Sequence, residues 1–403
     1  MHWPPSLSAG PDPARRRDDV VTATVERPIE EAAPDVPEQK LRLNPITKDG
    51  VASIIGAALG ALGLVWVLYE RILPTSGAFG FWLCWYAVFL ACYYAIGRMQ
   101  WDARLVTDRL VAIALSTAAL LVVAFVVHEI SYTLYRGEKA IEHSNFFTQN
   151  MSLTGPLDPL TSGGALHAMV GSLEQLALAT AFTVPLAVLT ALFMSEIGGA
   201  WARVVRTVVD AMSAMPSVLA GLFILATVIL SLGVGKSGFA ASLAMTVMML
   251  PIVTRAAEVV IRLVPGTLRE ASFALGASQW RTMWTVVLPT AKSGLTTAIV
   301  LGMARGIGET SPVLLTAGFT KEMNLNPFSG PQINMPLYIW NYVRFPQPNM
   351  VARAFGIGLT LVVVVLVLFI TARILGGRPA GELTRRQRRR ISRDARQSER
   401  VPA

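Results

Sequence analysis

The chain has 403 residues, 53% of them hydrophobic and only 15% charged, and its mean hydropathy is +0.50. A soluble domain carries about a quarter charged residues, so this composition excludes a large water-soluble core and points to a polytopic membrane protein. The formal net charge is +9, and residues 376–403 alone hold nine Arg against Glu382, Asp394 and Glu399. In so apolar a chain that excess reads as a cytoplasmic tail beside anionic lipid, not as a nucleic-acid surface.

Residues 1–49 are rich in Pro, Ala and charge, with seven Lys/Arg against nine Asp/Glu. They read as a disordered cytoplasmic tail, and no apolar run follows a basic start as in a cleaved signal peptide. Apolar runs at 51–73 and 79–96, joined by Pro74-Thr75-Ser76-Gly77, predict a transmembrane hairpin within residues 50–107. Trp82, Trp85 and Tyr86 sit near one end of it as interfacial aromatics do. Cys84 and Cys92 lie in the same run without metal or disulfide spacing and read as packing residues. Arg98, Arg104 and Arg109 mark the next link as cytoplasmic.

A third run, 110–130, leads to a polar loop at 131–166 that is predicted to be external. The fourth run, 168–194, contains Pro185, and Arg203 and Arg206 mark the cytoplasmic link after it. The fifth, 208–232, holds Met215-Pro216-Ser217 and Gly221. The sixth, 239–263, holds Pro251, Arg255, Glu258 and Arg262. A polar stretch at 264–290 precedes the seventh run, 294–316, which carries Arg305 and Glu309. An external loop, 317–352, with a short surface helix at 336–343, leads to the eighth run, 353–375, and the basic tail 376–403. Runs of this length are helices, because the strands of a membrane barrel span only about ten residues. The expectation is an all-α, multi-pass protein with about eight transmembrane helices and both termini in the cytoplasm.

No metal or cofactor motif emerges. His2, His128, His143 and His167 are scattered. Gly235-Lys236-Ser237 looks like the end of a phosphate loop, but the Gly that the motif needs upstream is replaced by Leu230. The chain has no nucleotide-binding motif of its own.

The charges inside the apolar runs carry more information. Arg255 with Glu258 is an i,i+3 pair and Arg305 with Glu309 an i,i+4 pair, so each pair shares one helix face. A lone charge at mid-bilayer costs about 3 kcal/mol on insertion scales. Two readings fit. The pairs are self-neutralised bridges that fix helix packing, or the two Arg line a water-filled path for an anion with each Glu holding its Arg. Guanidinium suits an oxyanion because it offers forked donors and keeps its charge. Thr310 and Ser311 could add hydroxyl donors, although helix hydroxyls also bond to their own backbone. Pro312 bends the helix there. Arg262 and Arg269 read as topology signals.

Within 264–290, Thr267 and Glu270 have capping-box spacing, which predicts a short helix to Leu275. Gly276 permits a sharp turn, Ser278 can cap a second helix through Val287, and Pro289 marks the join to the next span. Phe273, Trp280 and Trp284 are its exposed groups. Such a segment is a docking knob for a partner or a simple interfacial connector.

Glu270-Ala271, Gly276 and Leu288-Pro289 at their spacing resemble the EAA loop of ABC importer permeases, with Ser272 in place of the second Ala. The segment Met303-Ala304-Arg305-Gly306-Ile307-Gly308-Glu309-Thr310-Ser311-Pro312 is similar to the R-x-x-GET-x-P segment of phosphate importer permeases. Met249 to Glu258, Leu263-Val264-Pro265 and Pro336-Leu337-Tyr338 look like the same family. The resemblance covers about residues 110–375, whereas residues 1–107 depart from the family's six-helix plan by adding a tail and two helices.

What the resemblance implies is a MetI-like permease domain at 108–375 that forms half of a phosphate path in the cell membrane. It implies a second related permease, two copies of a separate ATP-binding subunit and an external phosphate-binding protein as partners, with ATP bound only by a partner. It also implies coupling to the ATPase through Glu270, Ala271, Gly276 and Ala277, and a path along Arg255, Glu258, Arg305, Glu309 and Thr310. A permease for sulfate or molybdate, an ion-coupled carrier and a membrane scaffold are the other readings. The Gly308-Glu309-Thr310 context speaks against the first, and a carrier has no use for a capped loop that docks an ATPase.

Overall fold

The computed structural model describes residues 48–72 and 77–376. The expectations for the N-terminal tail before Lys48, for the turn at 73–76 and for the basic tail from 377 onward lie outside the described residues. Among the described residues every regular element is a helix. Seven helices are long and apolar enough to cross a membrane, and a bent pair makes an eighth crossing if it counts as one span. The chain divides into two compact units at residues 119 and 120.

In the first unit, α1 (Lys48–Val67) and α2 (Ala78–Gln100) form the predicted hairpin. Ala57 and Ala61 of α1 are buried with Phe89 and Tyr93 of α2. Two Ala one turn apart leave room for large rings on the facing helix. The Trp85 indole stacks on Phe89 at 5.8 Å and donates to the Ala58 carbonyl at 3.1 Å. Both cysteines are free and half-buried here.

Helix α3 (Ala103–Ile141) runs for 39 residues. That is about 58 Å of helix against about 30 Å of hydrocarbon. The expected loop at 131–166 therefore begins as helix, and only its later part turns back. There α4 (Asn145–Thr148) is fastened by Asn145, whose amide donates to the carbonyls of Leu160 at 2.8 Å and Gly163 at 2.6 Å.

Helix α5 (Leu166–Leu192) passes through Pro185 without a break and ends in a π-helical turn, Phe193–Ile197. It lies along α8 (Gly238–Arg262), and the shared surface is built from small buried residues. Ala168, Ser172 and Ala179 on α5 and Ala240, Ala241 and Ala244 on α8 are all buried. Apolar surface gives little drive between helices in lipid, so close backbone approach supplies the contact. Ser237 caps α8 by accepting from the Ala240 N–H at 3.2 Å, which gives the Gly235-Lys236-Ser237 sequence a structural role.

Two expected spans are broken. Residues 208–232 do not form one helix. Instead α6 (Gly199–Ser213) stops, and α7 (Ser217–Ile224), continued by a π-helical turn to Ser231, leaves at 105° to it. Pro216, with φ −56° and ψ 137°, is the point of departure, since its backbone is extended and its nitrogen carries no proton. The seventh run is also divided: α11 (Leu288–Ile307) ends, residues 308–310 are non-helical, and α12 (Ser311–Thr316) follows. The two broken segments meet, because a Cβ on Gly221 of α7 would lie 2.7 Å from the Pro312 Cα of α12.

The loop after α12 returns over the bundle. Helix α13 (Met335–Tyr342) sits where a surface helix is expected, but it is largely buried, with Met335, Leu337, Tyr338 and Tyr342 in the core. Its apolar turns face α5 and α14 (Pro348–Gly376), the last span.

Candidate functional site

The Arg262 end of α8 holds a charge network larger than the predicted pair. Arg255 Nη1 donates to Glu258 Oε2 at 2.8 Å, as the i,i+3 spacing requires. The Glu258 side chain is only 5% exposed and takes two further guanidinium groups on Oε1, from Arg206 at 2.7 Å and Arg262 at 2.7 Å. Arg255 Nη2 in turn donates to Asp210. Arg206 and Asp210 both come from α6, one helical turn apart, so two ion pairs lace α6 to α8. Three guanidinium groups against two carboxylates leave one positive charge in excess.

This corrects the reading of Arg262 as a topology signal only. Arg206 and Asp210 escape a reading of single spans because their partners lie far along the chain. An available local clue is their i,i+4 spacing in a segment bounded by Gly198-Gly199 and Pro216.

The second predicted pair lies at the break in the seventh span. Arg305 Nη1 is 2.9 Å from Glu309 Oε1, with side-chain exposures of 53% and 4%. The guanidinium is open while its carboxylate is enclosed. The break is partly satisfied from within: the Glu309 N–H bonds to the Gly306 carbonyl at 3.0 Å, and the Asn334 amide donates to the Glu309 carbonyl at 3.2 Å. Non-helical backbone at membrane depth survives where protein buries it or where it lines a wet cavity. Thr310 is half-buried at the N-cap of α12, but its side chain makes no capping hydrogen bond. At this level α11 presses on α8, since a Cβ on Gly306 would meet Met249 Sδ at 2.5 Å. Arg255 is farther along α8 by about 9 Å of helix rise. The two pairs share no hydrogen bond or ion pair among the described residues.

The polar stretch folds as a bent pair of short helices, with three changes from expectation. First, the Thr267–Glu270 capping box does not form. α9 (Gly266–Ala274) begins two residues earlier, behind Pro265, whose φ of −56° and ψ of 134° set the entry, and there is no side-chain cap. Thr267 is therefore already inside the helix, and Glu270 and Ala271 are exposed on it. Second, Pro289 does not mark a join. α10 (Gln279–Thr282) continues through a π-helical turn, Met283–Val287, into α11 as one helix, Gln279–Ile307. The wider turn just before Pro289 accommodates its missing N–H. Third, Arg269 is more than a topology signal, because it is an anchor. Its guanidinium bonds Glu196 and the carbonyls of Val264 and Ile261.

The turn, the second cap and the exposed rings form as expected. Gly276 turns the chain at φ +79° with open space around it, and Ser278 caps α10 by accepting from the Arg281 N–H at 3.3 Å. Ala277 is half-buried beside it, its N–H on the Ser272 carbonyl at 3.1 Å. Ser272, the departure from the family's alanine, shares a 2.8 Å hydrogen bond with the hydroxyl of buried Thr282. That bond ties the two short helices together. Phe273, Leu275, Trp280 and Trp284 are exposed, the two Trp rings edge to face at 5.7 Å.

The model of a family described as "Binding-protein-dependent transport system inner membrane component" matches residues 183–380. The phosphate transport system permease protein PstA 1 of Mycobacterium tuberculosis (strain H37Rv) is 39% identical over 241 residues, 60% of this chain and 78% of that protein. The phosphate transport system permease protein PstA of Mycobacterium leprae is 38% identical over 250 residues, 62% of this chain and 82% of that protein. A probable ABC transporter permease protein of Bacillus subtilis, YqgI, is 31% identical and matches 68% of this chain and 96% of that protein. Among solved structures, the inward-facing MetNI methionine ABC transporter gives a TM-score of 0.42 at 20% identity, covering 52% of this chain and 95% of that one.

Proposed function

The chain belongs to the binding-protein-dependent transport system inner membrane component family, and from that membership we propose that it is the permease subunit of an ATP-driven phosphate importer. It is a multi-pass inner membrane protein, and its family implies a separate ATPase as partner. The finer assembly we propose has a second related permease, two ATP-binding subunits and an external phosphate-binding protein. The Arg content of the links supports a cytoplasmic side for both termini and for the 264–290 stretch.

The observation that carries the reading is the open Arg305 guanidinium at the interrupted span, with its carboxylate partner buried behind it. A forked, permanently charged donor at a break in a membrane helix suits an oxyanion in transit. Arg305 receives the anion, with Thr310 as a neighbouring hydroxyl and Glu309 holding the guanidinium in place. Arg255, held by Glu258, lies further along the path. Neither site needs to bind tightly, because a path that grips its cargo cannot release it. Glu270, Ala271, Gly276 and Ala277 form the surface that meets the ATPase. Its exposed rings give a rigid apolar contact, and the continuous helix from Gln279 to Ile307 connects that contact to Arg305.

The test is uptake by the complete importer in proteoliposomes. Radiolabelled phosphate enters only with ATP, and Arg255→Ala or Arg305→Ala each abolishes entry while the complex still assembles. Phosphate passage through the purified chain alone, without ATP, overturns the reading.

A further inference from the structure

We propose that Asp210 is a tethered competitor for the transported oxyanion, a positioning residue that takes back the Arg255 guanidinium and so drives release. The inference rests on the proposed function above. Arg255 has two carboxylate partners of opposite character. Glu258 is enclosed, with a side chain 5% exposed, and is shared by three guanidinium groups. A carboxylate so enclosed cannot give up its cations without stranding its own buried charge, so Glu258 is a permanent member of the network. Asp210 has a side chain 57% exposed and, among the described residues, bonds Arg255 alone, through Nη2. A partly exposed pair of this kind is weak, and water replaces the lost partner on either side when it opens.

Arg255 Nη2 is thus the donor that an incoming oxyanion would take, and in this structure Asp210 holds it. Carboxylate and phosphate oxygens compete for the same fork. The backbone allows the exchange. Asp210 is in the last turn of α6, next to the non-helical Ala214–Pro216 link where the chain bends by 105°. A small rotation of α6 about that link withdraws Asp210 from Arg255. α8, which carries Arg255, runs directly into the 264–290 stretch, so movement of that stretch is passed to the helix that carries this pair. Return of Asp210 places a fixed negative charge against the anion at Arg255 and expels it.

The experiment uses the complete importer in proteoliposomes, with phosphate added in increasing amounts on the ATPase side. Asp210→Asn removes the competing charge and keeps the shape. The expected result is that phosphate on that side inhibits uptake at a concentration lower by on the order of fivefold than in the wild type, the range open to a partly exposed ion pair. Asp210→Glu restores the wild-type inhibition curve. A companion measurement, phosphate-dependent thermal protection of the detergent-solubilised complex, shifts to lower phosphate in Asp210→Asn by a similar factor. Coincident inhibition and protection curves for wild type and Asp210→Asn overturn the inference. So does a variant that is slower at every phosphate concentration with an unchanged inhibition midpoint. Failure of the wild type to take up phosphate with ATP strikes the proposed function itself, and this inference falls with it.

Discussion

Arg269 and Glu196 are joined as a fork. Arg269 Nε reaches both carboxylate oxygens of Glu196 at 3.2 Å, and Nη2 reaches Oε1 at 2.7 Å. The same guanidinium donates to the carbonyls of Val264 at 2.6 Å and Ile261 at 2.9 Å, at the end of α8. Gln279 adds a bond from the second short helix to the Glu196 carbonyl at 2.8 Å. One side chain therefore joins the end of α5, the end of α8 and the start of α9. Under the coupling proposed above, this would be the joint at which a push on the loop becomes a displacement of the spans.

Arg269→Ala is expected to leave Glu196, which is largely enclosed, without its cation and to remove one donor from each of two helix-end carbonyls. The cost is about 3 kcal/mol in the stability of the permease. Arg269→Lys keeps the charge but loses the fork, and should fall between the two. Thermal unfolding of the purified complex measures the first effect, and phosphate taken up per ATP hydrolysed measures the second. An Arg269→Ala complex that melts and couples like the wild type would remove Arg269 from this role.

Gly276 supports a second prediction. Its φ of +79° is strained for any residue with a Cβ, and the space around it is open. Gly276→Val should cost about 1–2 kcal/mol locally, reorient Ala277 and the Ser278 cap, and leave the spans in the membrane. Co-purification of the ATPase, or phosphate-stimulated ATP hydrolysis, should be lost. Normal coupling in this variant would show that the turn does not shape the docking surface.

Much of this fold was legible because each span is a local property. A run of about twenty apolar residues declares itself, and so do Ser278 as a cap and Gly276 as a turn. The departures arise where one local rule competes with another, or where the deciding partner is distant. Thr267 and Glu270 have capping-box spacing, but Pro265 starts the helix early and leaves the box without an end to cap. Pro216 in an apolar run is compatible with a kinked span. The full break is reinforced by Arg206 and Asp210, which turn α6 toward partners on α8. The Arg206–Glu258 and Arg269–Glu196 pairs span 52 and 73 residues of sequence, beyond the reach of helical spacing. The intrahelical pairs, Arg255–Glu258 and Arg305–Glu309, were within that reach, and both form.

A third prediction concerns Arg353, which is 1% exposed and, among the described residues, has no carboxylate hydrogen-bonded to it. Its Nη2 donates to the carbonyls of Pro159 and Ser162, each at 2.7 Å, and so clamps the loop before α5 onto α14. Arg353→Met fills the space but strands the Ser162 carbonyl, at about 1–3 kcal/mol, and leaves the Pro159 carbonyl with the Ser162 N–H at 3.2 Å. The loop at 150–162 should then become accessible to limited proteolysis from the external side, while the spans remain protected. Unchanged proteolysis would mean that the loop is held by Asn145 and its neighbours alone.

The crossing of the two broken spans gives the last prediction. A Cβ on Gly221 would lie 2.7 Å from the Pro312 Cα, 3.1 Å from the Pro312 carbonyl oxygen and 3.1 Å from Leu315 Cδ1. The first two neighbours are backbone and cannot rotate away. Gly221→Ala must therefore push α7 from α12, and α12 follows Glu309 and Thr310 with no intervening loop. A displacement of a few tenths of an ångström moves the buried carboxylate that holds Arg305. Misplacement by about 1 Å can cost a positioned site about a hundredfold in rate, so a loss of uptake of about tenfold is expected here. ATP hydrolysis by the docked ATPase should persist, since the 264–290 surface is untouched. Gly235→Ala is the matched control, because nothing lies within 4 Å of the Cβ it would add. Equal uptake by Gly221→Ala, Gly235→Ala and the wild type would separate the α7–α12 crossing from the anion path.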